Sequence, residues 1–369
     1  MTPETAPASR RLAEKEGWFA HCEKPPRPKP AEHSAREISA MNRQVRAAYE
    51  RERADWHANL GPIKTPQVGA VHEELWELLA TNRQDVDRVR SSAALDAEAG
   101  IGKTTAAVAF GKEFHREEID VYGPETQSGH QRIPVAFIPL PGHTTTRIFS
   151  STLCNFYAHP GAERGTAAQL IDRAADCVLA CETKLLIIDD VHFLSMQRTD
   201  HRDVANYFKS LVNTLPLTLL VVGIELDALL NEGLSPGQRA RAQNSRRLTP
   251  LKLSPFSRST EQARAEWRQL LKTIEHQLVL ANKHEGMLFR DLDDYLFART
   301  QGYFTSLMSL IARGCFRAAR SGTEHLDENL LSSIRLDAAA ERMRPGRTPA
   351  APPGTQRPQT GTRRRRDAA

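Results

Sequence analysis

Apolar positions change their spacing several times along this chain. Residues 1–30 show no period: they are rich in Pro, Ala and charge, including E-K-P-P-R-P-K-P, and read as disordered or extended. Residues 31–55 follow a helical pattern rich in Arg and Glu, ended by Trp56, His57 and the turn at Gly61-Pro62. A second helix, over 66–79, carries Val68, Val71, Leu75, Leu78 and Leu79 on one face. Residues 31–82 thus form a helical prefix.

From 83 to 255 short apolar runs alternate with helical patterns. Strands are predicted over 89–95, 133–140, 185–188, 217–224 and 248–253. Helices are predicted over 103–114, 148–157, 166–181 and 204–212, with a helical stretch reaching Gln243. Such alternation implies an α/β domain, a parallel sheet flanked by helices. After Pro255 the strand signal stops. Residues 260–280 are amphipathic, with Trp267, Leu270, Leu271, Ile274 and Leu278 sharing a face, and further helices are expected over 289–299, 303–319 and 327–340. A small all-helical domain over 256–340 follows. Residues 341–369 are dominated by Pro, Gly, Thr and Arg and read as a disordered tail.

The first candidate chemistry lies between a predicted strand and a predicted helix. Residues 97–104 read A-E-A-G-I-G-K-T, which fits a phosphate-binding loop. Gly100 and Gly102 permit a tight turn that points backbone N–H groups at the β- and γ-phosphates of a nucleotide. Lys103 can bridge these phosphates, the Thr104 hydroxyl can ligate Mg²⁺, and the helix offers its positive end to the anion. Ala97, Ile101 and Thr105 complete the nucleotide-binding set. Ala97 stands where the strict pattern has Gly, and is accommodated if that position does not need positive φ.

A partner motif strengthens the reading. K-L-L-I-I-D-D, residues 184–190, is a buried strand delivering two carboxylates at its C-terminal end, where ligands sit in open α/β sheets. Asp189 would hold Mg²⁺ with Thr104. Asp190 stands where many ATPases of this kind carry a Glu that polarises the attacking water, and is one methylene shorter. ATP and Mg²⁺ are the cofactors expected.

Composition narrows the class. No apolar run approaches the roughly 20 residues that span a bilayer, and M-T-P-E-T-A-P lacks a charged region followed by an apolar one, so a cytoplasmic protein with no membrane partner is expected. Five scattered cysteines argue against a disulfide scaffold. The net charge of +5 is local: residues 340–369 carry eight Arg against Glu341 and Asp367, giving +6 and leaving −1 elsewhere.

Taken with R-A-A-Y-E-R-E-R-A-D-W-H, I-K-T-P at residues 63–66 and T-L-L-V-V-G, the phosphate loop and I-I-D-D-V-H-F-L resemble the TniB family, the TnsC-related AAA+ ATPases of bacterial transposons. The resemblance runs in outline over residues 36–340. It implies an AAA+ P-loop NTPase core over 83–255, followed by a small helical lid domain over 256–340. It also implies an ATP-dependent regulator that assembles as a homo-oligomer, ring or filament, on duplex DNA and recruits or activates a DDE-type transposase, with a TniQ-like targeting protein as a further partner. In N-S-R-R-L-T-P, Arg246 matches an Arg that can reach the γ-phosphate bound by a neighbouring subunit, with Arg247 as the second choice and a solvated basic face as the alternative. Two positions depart from the AAA+ pattern. Ile224 stands where a polar sensor of the γ-phosphate is common, and Thr305 and Ser306 where many relatives carry a nucleotide-contacting Arg. Both suit a slow switch better than a motor.

Two segments are candidates for DNA. Arg363, Arg364, Arg365 and Arg366 can contact phosphates without reading sequence, or merely solubilise the terminus. The segment P-L-P-G-H-T-T-T-R, 139–147, follows the second strand. Its Thr145 and Arg147 could contact a phosphate backbone, or its threonines could simply cap a helix. A protein that binds ATP, barely hydrolyses it and acts only through protein partners is the alternative function. A small-molecule kinase is disfavoured by the helical second domain.

Overall fold

The computed structural model describes residues 11–84, 90–140, 142, 144–192, 199–224, 226 and 248–344. Its centre is a five-stranded sheet of β1 (Ser92–Asp96), β2 (Val135–Pro139), β3 (Leu185–His192), β4 (Thr218–Ile224) and β5 (Leu248–Lys252), in the order β2-β3-β4-β1-β5. Every pairing is parallel. Strands covered on both faces must be apolar throughout, and Leu185, Leu186, Ile187 and Ile188 of β3 are fully buried.

Helix α5 (Lys103–Tyr122) follows the phosphate loop and packs Phe110 and Phe114 into the core. It runs beyond the predicted end at 114 because two polar residues in its last turns are buried with partners. His115 accepts from the Trp18 indole (3.3 Å), and Glu118 pairs with Lys184 and Arg83. Helices α6 (Thr146–Phe156), α7 (Ala167–Ala180) and α8 (Thr199–Thr214) complete the core's described helices.

The expectation that residues 1–30 are disordered is corrected over the described part. Lys15–Glu23 form helix α1, whose Trp18 is fully buried and stacks on Phe137 of β2 with ring centroids 6.1 Å apart. Lys112 and Arg116 of α5 donate to the carbonyls of His21 and Cys22 (2.7 Å each), satisfying the last turn of α1.

The single helix predicted over 31–55 is two. α2 (Ala35–Ala40) starts in a capping box built on Ser34 and Glu37, and α3 (Arg43–His57) restarts because the Asn42 side chain accepts from Val45 N (2.9 Å). α4 (Pro66–Thr81) begins with Thr65 as cap and Pro66 in its first turn. The prefix straddles the molecule: Val71, Leu75 and Leu79 of α4 join the core of the sheet, whereas Leu60 and Ile63 join the core of the helical region.

That helical region comprises α9 (Glu261–Gln277), a π-helical turn (Met287–Asp291), α10 (Asp293–Thr300), α11 (Phe304–Ser321), α12 (Glu328–Ser332) and α13 (Ala338–Arg342). The helix predicted over 327–340 is interrupted because Asp337 turns its carboxylate onto the N–H groups of Ala339 and Ala340 (3.0 Å each), starting a new helix. Prefix and helical region are tied by a buried ion pair. Arg53 donates to both Glu324 oxygens (2.7 and 3.1 Å), and Glu324 also accepts from Ala281 N. Among the described residues, no helix is long and apolar enough to cross a membrane.

Candidate nucleotide site

The phosphate loop connects β1 to α5, and its glycines are required by its backbone. Gly100 (φ +82°) and Gly102 (φ +96°) both adopt left-handed conformations, and Gly102 caps α5. Ala97 is not among the residues with positive φ. Its methyl is therefore tolerated at the position where the strict motif has Gly, and its N–H donates to Gly223 O (3.3 Å). Lys103 opens α5 and is buried.

Beside the loop, β3 delivers its carboxylates through an irregularity. The register with β4 shifts between Ile188 and Val191, and Asp190 takes φ +58°. This bulge puts the two consecutive carboxylates in different environments: Asp189 is buried and Asp190 exposed. It also explains Gly223 in V-V-G. A Cβ there would lie 2.1 Å from the Val191 carbonyl oxygen, so only glycine fits opposite the bulge.

Asp189 Oδ1 accepts from the Thr104 hydroxyl at 3.2 Å. Burial pushes the Asp189 carboxyl above its ordinary range, opposed by hydrogen bonds from Asp190 N–H and Thr104 and by the Lys103 charge. The Asp189 carboxylate and the Thr104 hydroxyl are hard oxygen donors of the kind that Mg²⁺ takes. The residues present thus fit both groups the sequence implies: N–H groups and Lys103 for phosphates, Thr104 and Asp189 for the metal.

The helical region closes over the loop. Thr305 N–H donates to Gly100 O (3.0 Å), and the Tyr303 hydroxyl donates to the Glu98 carboxylate. A Cβ on Gly102 would sit 3.6 Å from the Phe304 ring. Gly302 fixes this approach: its φ is +76°, its carbonyl accepts from Phe256 N (2.9 Å), and a Cβ on it would meet Phe256 O at 2.0 Å. Thr305, singled out in the sequence for replacing an Arg, therefore meets the loop through its backbone.

A cavity of about 210 Å³ opens beside the loop, walled by Ile63 of I-K-T-P, Ile101, Thr105, His72, Phe256 and Phe304. Ile101, Gly102 and Thr105 of the predicted nucleotide set line it; Ala97, Gly100, Lys103 and Thr104 do not. Glu98, Tyr303, Phe304, Phe256 and His72 were missed. Glu98 lies inside the loop motif at a position the motif leaves open, and the other four come from elements distant in sequence, so only the packing shows them.

Residues 86–230 match the family model described as an AAA domain. The fold is that of an AAA+ P-loop protein. The β2-β3-β4-β1-β5 sheet is the core of that fold, and a helical region follows it in the chain. The Orc1 protein of Aeropyrum pernix, solved in complex with DNA, superposes with TM-score 0.55 at 15% identity, covering 75% of this chain and 67% of that one. The Orc2 protein of the same organism, solved as ADPNP-ADP complexes, gives TM-score 0.53 at 15% identity, covering 75% and 70%. At such identity these show a shared AAA+ fold. No curated protein matches the chain significantly.

The DNA candidates divide. Thr144 is buried, and the Thr145 side chain caps α6 by accepting from Ile148 N (3.2 Å). Arg147 is exposed and donates to Gly165 O (2.5 Å) in the loop between α6 and α7. Arg173 donates to Gly161 O in the same loop (2.9 Å), where Arg164 is exposed. Two guanidinium groups, those of Arg147 and Arg173, thus hold carbonyls of this loop. Arg246, Arg247, Arg363, Arg364, Arg365 and Arg366 lie outside the described residues.

Proposed function

We propose that this AAA+ protein is an ATP-dependent DNA-binding ATPase that regulates transposition, oligomerising on duplex DNA and recruiting or activating a DDE-type transposase. The observation that carries the ATPase part is the Thr104–Asp189 hydrogen bond beside buried Lys103, which joins the two nucleotide motifs at one point. Bound Mg²⁺ would supply Lewis-acid charge neutralisation on the β- and γ-phosphate oxygens. Lys103 and the first N–H groups of α5 bind and orient the phosphates. Asp190, exposed on the bulge next to Asp189, stands where a carboxylate would polarise the attacking water. Arg246 of a neighbouring subunit would stabilise charge in trans.

The transposition part is supported by the TniB-like motifs, of which I-K-T-P walls the cavity beside the loop. Arg147, Arg164 and Arg173 support a phosphate-backbone contact without base readout. The arginine tail would add salt-sensitive affinity. A TniQ-like protein remains the proposed targeting partner.

A second reading, an ATP-binding adaptor with little hydrolysis, is favoured by Ile224 on β4 and by Thr305, whose backbone rather than a cationic side chain meets the loop. Phosphate release with and without duplex DNA separates the two. Stimulation by DNA supports the first reading; the same low rate in both conditions supports the second.

A further inference from the structure

Helix α11 presents charge of a single sign. Its inner face is apolar, with Leu307, Leu310, Ile311, Cys315 and Ala318 fully buried. Its outer face carries Arg313, Arg317 and Arg320, with Phe316 half exposed among them, and the helix contains no Asp or Glu. The other long charged helices differ. α3, α5 and α9 each mix acids with bases, and on α3 Arg46 pairs with Glu50 one turn away (2.8 Å). On α11 the corresponding neighbours repel: Arg313 and Arg317 are four apart, and Arg317 and Arg320 three apart, a spacing of like charges that disfavours the helix.

The carboxylates that follow in the chain are engaged elsewhere. Glu324 pairs with Arg53, Asp327 accepts from Leu330 N, Asp337 accepts from Ser306 and caps α13, and Glu341 pairs with Arg299 and Arg344. Glu328, exposed in the first turn of α12, is the remaining acid of this stretch. Among the described residues no ion pair joins Arg313, Arg317 or Arg320 to a carboxylate.

Two of the three guanidinium groups are held in place. Arg313 donates to the Arg335 carbonyl and Arg317 to Ser333 Oγ (2.5 Å), both in the connector between α12 and α13. A guanidinium has five N–H donors, so each keeps donors for an anion. Arg344 donates to Ser332 O (2.8 Å), beside Ser333, and the sequence beyond it, residues 345–369, adds six Arg and one Asp. The basic tail therefore departs next to this stripe. Arg313 and Arg320 lie about 10 Å apart along the helix axis, a length over which one DNA strand presents about three phosphates. Phe316 adds apolar area for the sugars between them.

Granted the DNA-binding reading above, we propose that the outer face of α11, through Arg313, Arg317 and Arg320, contacts the phosphate backbone of duplex DNA. This face contributes affinity without reading sequence.

The test is fluorescence anisotropy of two labelled duplexes of unrelated sequence, with the full chain, Mg²⁺ and a slowly hydrolysed ATP analogue, over a series of salt concentrations. The natural protein is compared with Arg320→Gln and with the triple change Arg313→Gln, Arg317→Gln, Arg320→Gln. Thermal melts show which variants fold, and Arg320, which donates to no other described residue, keeps the test open if the triple variant does not. Arg320→Gln should lower the slope of log affinity against log salt by about 1, and the triple change by nearly 3. The triple change should weaken binding by about ten- to a hundredfold, equally on both duplexes. Folded variants with the natural affinity and slope would overturn the proposal, as would a loss confined to one sequence. A natural protein that binds neither duplex would instead overturn the DNA-binding reading and the proposal with it.

Discussion

The Thr104 hydroxyl donates to the Asp189 carboxylate across 3.2 Å, joining the end of the phosphate loop to the end of the carboxylate strand. Asp189 is 3% exposed, and its carboxyl is pushed upward mainly by burial. Its charged form is therefore costly in the empty protein and useful only when a cation arrives. Replacing Asp189 by Asn should leave stability at neutral pH unchanged or raise it by about 1 kcal/mol, while removing Mg²⁺-dependent nucleotide affinity. Thermal melts with and without Mg²⁺-ATP check this: the variant should melt no lower than the natural protein without ligand and should gain nothing on adding it.

The raised Asp189 pKa also sets a pH dependence for the metal. As pH falls, the carboxyl takes up its proton before an ordinary aspartate would, above pH 3.8. Mg²⁺-dependent ATP affinity should therefore weaken on acidification already above that value, whereas Thr104→Ala should be weak throughout. Titration calorimetry across mildly acidic pH, over the range in which the protein stays folded, reads both.

Two buried histidines predict acid lability of the fold itself. His57 accepts from Val279 N–H and His115 from the Trp18 indole, and burial lowers each pKa from 6.5 to about 4. Below pH 6.5 the unfolded chain binds protons that the folded chain refuses until pH about 4. Stability should fall through that window, by up to roughly 1.4 kcal/mol per pH unit for each histidine. Urea unfolding at several pH values measures the slope. A His57→Gln variant should show about half of the histidine contribution.

The glycine-rich loop was legible in the sequence because its residues are contiguous. Gly100, Gly102, Lys103 and Thr104 sit within five residues, and both glycines have the positive φ that the motif demands. The sheet was legible because buried parallel strands are unbroken apolar runs. What escaped depends on partners far away in the chain. Residues 15–23 look polar and short until Trp18 meets Phe137 and His115. The breaks at Asn42 and Asp337 arise from side chains competing for backbone N–H groups, which apolar periodicity does not register. Tyr303 and Glu98 are 205 residues apart, and their contact exists only because the helical region folds back over the loop.

The tie between prefix and helical region carries its own prediction. Arg53 and Glu324 are both almost fully buried, and Tyr49 stacks on the guanidinium with 4.5 Å to the ring centroid. Arg53→Ala leaves a buried carboxylate without its cation and should cost about 3–5 kcal/mol. Replacing both partners with apolar residues should cost less than the single change. A double-mutant cycle by chemical denaturation reads the difference.

The most direct test is binding to a labelled DNA duplex in ATP, a slowly hydrolysed ATP analogue, ADP and no nucleotide, with Lys103→Ala alongside. Binding that requires ATP or its analogue, and that disappears with Lys103→Ala, is the expected result for an ATP-gated DNA-binding protein. Equal binding in all four conditions, untouched by Lys103→Ala, would contradict it and assign the DNA affinity to basic residues that act independently of the nucleotide site.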